Sequence, residues 1–232
     1  MFKRNTKEQS TLFVHDNPKS IVSEKFRTIR SNIMFSIANT SDKNILVTSE
    51  HALSGKSTVS SNIGISYAQA GYNTLIIDGD MRKPTQHYVF QLSNLTGLSN
   101  LIINKTTFND AIKATHIDNL SVLTSGPIPP NPSELIASNK FKQIYDIVSK
   151  DYDFIIIDTP PVNTVTDAQL FVQHTKNAVL VIDTEKNDRD EVKKAQELLN
   201  AAGAKILGVI LNKMKVTKSS SYYYYYGTDS DD

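Results

Sequence analysis

Ile45-Leu46-Val47-Thr48-Ser49-Glu50-His51-Ala52-Leu53-Ser54-Gly55-Lys56-Ser57-Thr58 is the stretch from which the rest of the chain is read. An aliphatic run enters a short polar loop, the loop ends in Gly-Lys-Ser-Thr, and a helix-like stretch follows. A lysine directly after glycine reaches the β- and γ-phosphates of a nucleotide, and the next hydroxyl is placed to ligate Mg²⁺. Backbone N–H groups of the loop and the N-terminus of the helix supply the remaining positive potential. Ser54, Gly55, Lys56, Ser57 and Thr58 are therefore the candidate phosphate-binding residues. The full GxxxxGK[ST] pattern is not met, because Glu50 stands at the first glycine position.

Two further aliphatic runs end in aspartate. Leu75-Ile76-Ile77-Asp78-Gly79-Asp80-Met81-Arg82-Lys83-Pro84 places two carboxylates around a glycine. Spaced two apart, they could share a hydrated Mg²⁺, or one could hold the metal while the other accepts a proton. Phe154-Ile155-Ile156-Ile157-Asp158-Thr159-Pro160-Pro161 offers Asp158 as a Walker-B-like carboxylate that orders Mg²⁺ through water. An isolated Asp-Gly-Asp would read as a solvated turn; three such elements in this order imply a nucleoside-triphosphate site. A guanine-specific site would carry Asn-Lys-x-Asp after a late strand. Here Asn212-Lys213-Met214-Lys215 lacks the aspartate. Asn212 can still donate and accept hydrogen bonds at an adenine edge, with Lys213 beside it, so ATP is the expected nucleotide.

Short apolar runs at 45–48, 74–78, 120–123, 154–158, 178–183 and 206–212 are expected strands. Helices are expected at 20–38, 56–70, 110–114, 140–150, 167–173 and 190–202. Runs such as Ile155-Ile156-Ile157 and Val179-Leu180-Val181-Ile182 are apolar on both faces, which suits a mostly parallel sheet covered by helices on each side. The fold class is accordingly α/β, a P-loop NTPase, with its site at the carboxyl ends of the strands. Residues 1–20 are polar and aperiodic and read as a flexible arm, 21–215 as the P-loop domain, and 216–232 as a disordered tail.

Composition narrows the partners. At 232 residues the chain suits one full α/β domain. A net charge of +1 with 21% charged residues gives no polyanion-seeking character and no basic stripe for nucleic acid. Zero cysteines exclude disulfides, thiolate chemistry and Fe–S clusters, and the five histidines are dispersed without metal spacing. No apolar run approaches the roughly 20 residues of a spanning helix. The opening Met1-Phe2-Lys3-Arg4-Asn5 lacks the apolar core of a signal peptide. A soluble cytoplasmic chain is expected, reaching a membrane through a partner.

Three more features remain. Glu24, Arg27 and Arg30 recur at i, i+3 and i+6 along one helical side. Thr124-Ser125-Gly126-Pro127-Ile128-Pro129-Pro130-Asn131-Pro132-Ser133-Glu134-Leu135 is rich in proline, and Tyr222, Tyr223, Tyr224, Tyr225 and Tyr226 form an unbroken run. With the Walker-like elements, these features resemble the bacterial tyrosine kinases of polysaccharide export loci over nearly the whole chain. The detached cytoplasmic kinases of Gram-positive capsule loci match best. The resemblance implies an ATP- and Mg²⁺-dependent kinase with a Min- and partition-ATPase-like fold, which phosphorylates the tail tyrosines of a neighbouring copy. It implies a ring assembled through the Glu24–Arg27–Arg30 helix and activation by a membrane-embedded Wzz-like modulator. It also implies control of capsule synthesis and export, with polysaccharide-biosynthesis enzymes as possible further substrates. On that reading Lys56 and the loop amides bind phosphate, Ser57 ligates Mg²⁺, Asp80 and Asp158 hold its water shell, and Asp78 accepts the tyrosine proton; the division of labour between Asp78 and Asp80 stays open. The chain departs from the family at Ala52-Leu53, where a Pro-Gly pair is usual. A non-glycine residue in the left-handed region costs about 1–2 kcal/mol, so weaker nucleotide binding or turnover is expected. The rivals are a partition-type ATPase, against which the tyrosine run argues, and a non-catalytic nucleotide-binding scaffold.

Overall fold

Among the described residues of the computed structural model (11–40, 43–186 and 188–214), seven strands form one sheet. They are β1 (Asn44–Ser49), β2 (Thr74–Asp78), β3 (Ile112–Ala114), β4 (Leu120–Leu123), β5 (Phe154–Asp158), β6 (Asn177–Asp183) and β7 (Lys205–Asn212). Their order is β3-β4-β2-β5-β1-β6-β7, parallel throughout except that β3 runs antiparallel to β4. The helices are α1 (Phe13–Asp16), α2 (Ile21–Ile37), α3 (Lys56–Ala68), α4 (Gln86–Val89), α5 (Leu98–Ile102), α6 (Phe108–Ala111), α7 (Pro132–Ile136), α8 (Asn139–Asp151), α9 (Asp167–Thr175) and α10 (Arg189–Ala201).

Alternation along the strands divides the core in two. Leu46, Leu75, Ile77, Ile155, Ile157 and Leu180 face the side packed by Phe141 of α8, Phe171 of α9 and Leu199 of α10. Ile45, Val47, Ile76, Ile156, Val179 and Val181 face the side packed by α2 and α3. Side chains on a strand point alternately to opposite faces, so one aliphatic run serves both layers. At Gly64 of α3 an added Cβ would lie 2.6 Å from Ile76 Cδ1, so the missing side chain lets this helix press onto the sheet. The strand register sets the site: Asp78 pairs with Asp158, and Val47 with Asp158 on the other side of β5. The ends of β1, β2 and β5 are thereby level.

Two expectations change. The segment 110–114 is not one helix: α6 ends at Ala111, and Ile112–Ala114 pairs with Ser121–Leu123. Lys113 there donates to the carbonyls of Thr96 and Ala111 and to Thr124 Oγ1, and these tertiary contacts prevail over local helical tendency. The second half of the expected 1–20 arm is docked. Val14 is fully buried and Leu12 nearly so; Val14 N–H donates to Asn62 Oδ1, while Asn62 donates to Thr11 C=O. Residues 1–10 and the Tyr222–Tyr226 run lie outside the described residues. Among the described residues, no helix is long and apolar enough to cross a membrane.

Candidate active site

The loop after β1 turns tightly because side chains close on its own backbone: Ser49 Oγ and Ser54 Oγ both donate to His51 C=O, at 2.6 and 3.0 Å. Leu53 sits at φ +66° with 87% of its surface exposed. Gly55 follows at φ +86°, a conformation that demands glycine, and a Cβ there would lie 2.2 Å from Asn212 Nδ2 and displace that side chain. α3 then starts at Lys56 with its N-terminus at the strand ends, the arrangement that favours anions.

Lys56, Asp78, Asp80 and Asp158 converge there. The buried Lys56 Nζ lies 3.1 Å from Asp80 Oδ2, 3.8 Å from Asp158 Oδ1 and 3.4 Å from Ser57 Oγ. Burial works against its charge, but Asp158, Asp80 and the hydrogen bond to Asp80 outweigh it and hold the pKa above the usual lysine value. Asp78 is fully buried. Burial pushes its pKa up to about 8, the Asp158 charge adds to this, and the N–H groups of Gln86 and Thr85 oppose it. Those N–H groups donate to Asp78 Oδ2 at 2.9 and 3.0 Å, whereas Oδ1 is buried without a partner. Asp80 is fixed by Lys83 N–H at 3.0 Å. Asp158 accepts from Ser60 Oγ at 3.2 Å and from Gln86 Nε2 at 2.8 Å.

The remaining sequence candidates separate. Asn212 reaches the phosphate loop, donating to Ser54 C=O at 2.8 Å. Lys213 instead pairs with Asp183 at 2.8 Å, and that bond holds the Asp183 carboxyl below its usual pKa. Thr58 is half-buried in the first turn of α3. On α2, Arg27 bonds Glu24 and the Pro18 carbonyl, while Arg30 bonds Ser66 C=O of α3 within the same chain.

Four features escaped the sequence reading. Glu50, taken only as a break in the motif, is buried and accepts Asp183 N–H at 2.9 Å, tying the loop to β6. Gln86 and Ser60 carry no motif. Arg82 grips the fully buried Asp167 with two hydrogen bonds, at 2.9 and 3.1 Å, and Ser133 donates to the same carboxylate at 2.7 Å. The proline-rich segment is thus anchored to the loop that carries Asp80.

No group of three or more His, Cys, Asp or Glu side chains among the described residues is arranged to hold a metal alone. Mg²⁺ in nucleotide sites keeps several waters and takes one or two protein oxygens together with phosphate. The Ser57 hydroxyl and the acidic oxygens of Asp80 and Asp158 are hard donors of the right chemistry, so the residues fit the ion.

The chain matches the ParA family model described as NUBPL iron-transfer P-loop NTPase over residues 40–230. It is 66% identical over 220 residues to CapB of Staphylococcus aureus, covering 95% of this chain and 96% of that one. To the tyrosine-protein kinase YwqD of Bacillus subtilis it is 40% identical over 217 residues, covering 94% and 92%. The chain belongs to the bacterial tyrosine kinase family. The solved structure of the chimerical protein CapA2B2 superposes with a TM-score of 0.87 at 59% identity, over 89% of this chain and 91% of that one. The ParA-like P-loop fold expected for this family is the fold observed.

Proposed function

We propose that this chain is an ATP:protein-tyrosine phosphotransferase that modifies the Tyr222–Tyr226 run of a neighbouring copy and thereby regulates capsular polysaccharide synthesis and export. The observation that carries the reading is the convergence of Lys56, Asp78, Asp80 and Asp158 at the level ends of β1, β2 and β5. Phosphoryl transfer needs chiefly alignment and charge neutralisation, and these groups suffice in kind. Lys56, released from Asp80, binds the phosphates with the amides of Ser54–Thr58. Ser57 would ligate Mg²⁺ and Asp80 and Asp158 would hold its waters; when bound, the ion would supply charge neutralisation for phosphoryl transfer. Asn212 borders the base, with Lys213 behind it on Asp183.

Asp78 suits the role of proton acceptor for the incoming tyrosine. Its high pKa makes it a competent base once ionised, and Oδ1 has no competing donor. Glu24, Arg27 and Arg30 form the subunit contact of a ring, a heterologous interface that closes when the rotation per copy allows it. A Wzz-like membrane protein acts as modulator and holds the kinase at the inner face of the cell membrane; polysaccharide-biosynthesis enzymes are further substrates.

A weaker or non-catalytic nucleotide-binding scaffold is the second reading, and Leu53 at positive φ favours it. One experiment separates the two. The purified chain is incubated with ATP and Mg²⁺, with and without a modulator tail, and phosphate is mapped on residues 222–226. Phosphotyrosine there supports the kinase; nucleotide binding without it supports the scaffold. Replacing Tyr222–Tyr226 by Phe removes the acceptors and leaves nucleotide binding intact.

A further inference from the structure

We propose that Gln86 is a positioning residue for nucleotide binding, holding Asp158 away from Lys56 while locking the first turn of α3 to the ends of β2 and β5. The proposal rests on the nucleotide-site reading above. Gln86 is fully buried, and both polar atoms of its side chain are hydrogen-bonded. Nε2 donates to Asp158 Oδ2 at 2.8 Å and to Ser57 C=O at 3.3 Å, and Oε1 accepts from Ser61 Oγ at 2.8 Å. Its backbone N–H donates to Asp78 Oδ2 at 2.9 Å. One residue therefore touches the helix that follows the phosphate loop and two of the three acidic groups.

A buried amide is costly unless bonded, and a position that only filled space would be served by an apolar side chain. The geometry gives the amide a specific task. Lys56 has two acidic neighbours, and it hydrogen-bonds Asp80 at 3.1 Å while Asp158 stays at 3.8 Å. Asp158 is kept there from both sides: Ser60 holds Oδ1 at 3.2 Å and Gln86 holds Oδ2 at 2.8 Å. Without Gln86 the carboxylate is free to swing onto the ammonium, and a phosphate must then displace two acidic partners from Lys56 instead of one. The Ser57 carbonyl loses the 3.3 Å bond from Nε2 in the same change and keeps the 2.8 Å bond from Ser61 Oγ, so the main effect falls on Asp158.

The test is calorimetric titration of Mg·ADP into the full-length wild type, Gln86→Met, Asp158→Asn and the double variant, with thermal melting as a check on folding. Gln86→Met is expected to weaken binding about tenfold, the scale of one lost hydrogen bond to a charged group. Because Gln86 acts through Asp158, adding Gln86→Met to Asp158→Asn should cost no more than about twofold further. A purely structural role would give equal losses in both backgrounds. Ser61→Ala, which removes the Ser61 Oγ contacts with both Oε1 and Ser57 C=O, is expected to weaken binding about two- to threefold and decides the matter if Gln86→Met does not fold. Wild-type affinity in Gln86→Met, or in Ser61→Ala where that variant decides, overturns the proposal, as does an additive cycle. A wild type that binds no Mg·ADP overturns the nucleotide-site reading along with it.

Discussion

Leu53→Gly tests whether the phosphate loop of this kinase carries strain that its sequence never relieved. Leu53 holds φ +66°, a conformation that costs a non-glycine residue about 1–2 kcal/mol. Its side chain is 87% exposed, so removing it forfeits almost no burial. Glycine brings its own penalty of about 0.5–1 kcal/mol in chain entropy, which leaves a net stabilisation of roughly 0.5–1 kcal/mol. For a chain of this size that is a rise of about 1–4 °C in the melting midpoint. Leu53→Ala is the control: it removes the bulk but keeps a Cβ at positive φ, and glycine should exceed it by about 1 kcal/mol. Binding follows the same logic. Relief shared by the free and bound loop cancels from the affinity. If instead the bound loop holds this conformation and the free loop relaxes from it, the net of about 0.5–1 kcal/mol becomes available, or roughly two- to fivefold in the dissociation constant for Mg·ATP. Melting and titration calorimetry on the three proteins read both effects. A glycine variant no more stable than the alanine variant would refute the strain argument, and unchanged nucleotide affinity would refute the link to weak binding.

Three further outcomes follow from the same geometry. Lys56→Met should reduce phosphotyrosine on residues 222–226 at least about a hundredfold by mass spectrometry, the scale of losing one charge-stabilising donor; persistent signal in purified protein would end the proposed scheme. Arg82→Ala leaves the fully buried Asp167 with Ser133 as its remaining side-chain donor, and should lower stability in urea by about 2 kcal/mol, a figure discounted because Arg82 is itself partly exposed. In the nucleotide-free protein, Asp78 rises from 3.8 to about 8, so the folded state binds the extra proton across that window. Stability therefore falls as pH rises from about 4 to about 8 and levels off above it, by at most ~1.4 kcal/mol per unit, and Asp78→Asn should flatten the slope of melting temperature against pH.

The elements readable in the sequence were those whose signal is local and repeated. β2, β4 and β5 occupy the expected residues, because each is an aliphatic run closed by a polar residue or a turn. The Gly55–Ser57 and Asp78–Asp80 elements were legible for a related reason, since backbone geometry and charge are demanded at consecutive positions. β3 was not legible. Its three residues have no periodicity to detect, and only the neighbouring β4 and the partners of Lys113 make them a strand. α1 is a single turn held by Asn62 from 48 residues away, a contact that no local window contains. Gln86 and Asp167 fall in the same class: a glutamine in a polar stretch and an aspartate opening a helix look like surface until the fold buries them. Glu50 misled for the opposite reason. The motif gave its position meaning as a missing glycine, whereas the structure gives the carboxylate an N–H of β6 to hold.

Charge counting at the strand ends explains why a chain with so little net charge can still grip a polyanion. Lys56 is one ammonium facing three carboxyl groups, Asp78, Asp80 and Asp158. Burial pushes the Asp78 pKa up to about 8, which leaves Asp80 and Asp158 as the acidic partners nearest the ammonium. The pocket is then net acidic, and a bare triphosphate would enter it against repulsion while also having to part Lys56 from Asp80. On the proposed nucleotide-site reading, extra positive charge arriving with the nucleotide would offset this repulsion, and the acidic surplus would favour the metal complex over the free anion. It also keeps Lys56 occupied until that complex arrives, and the hydrogen bonds that Ser60 and Gln86 make to Asp158 set how much must be undone when it does.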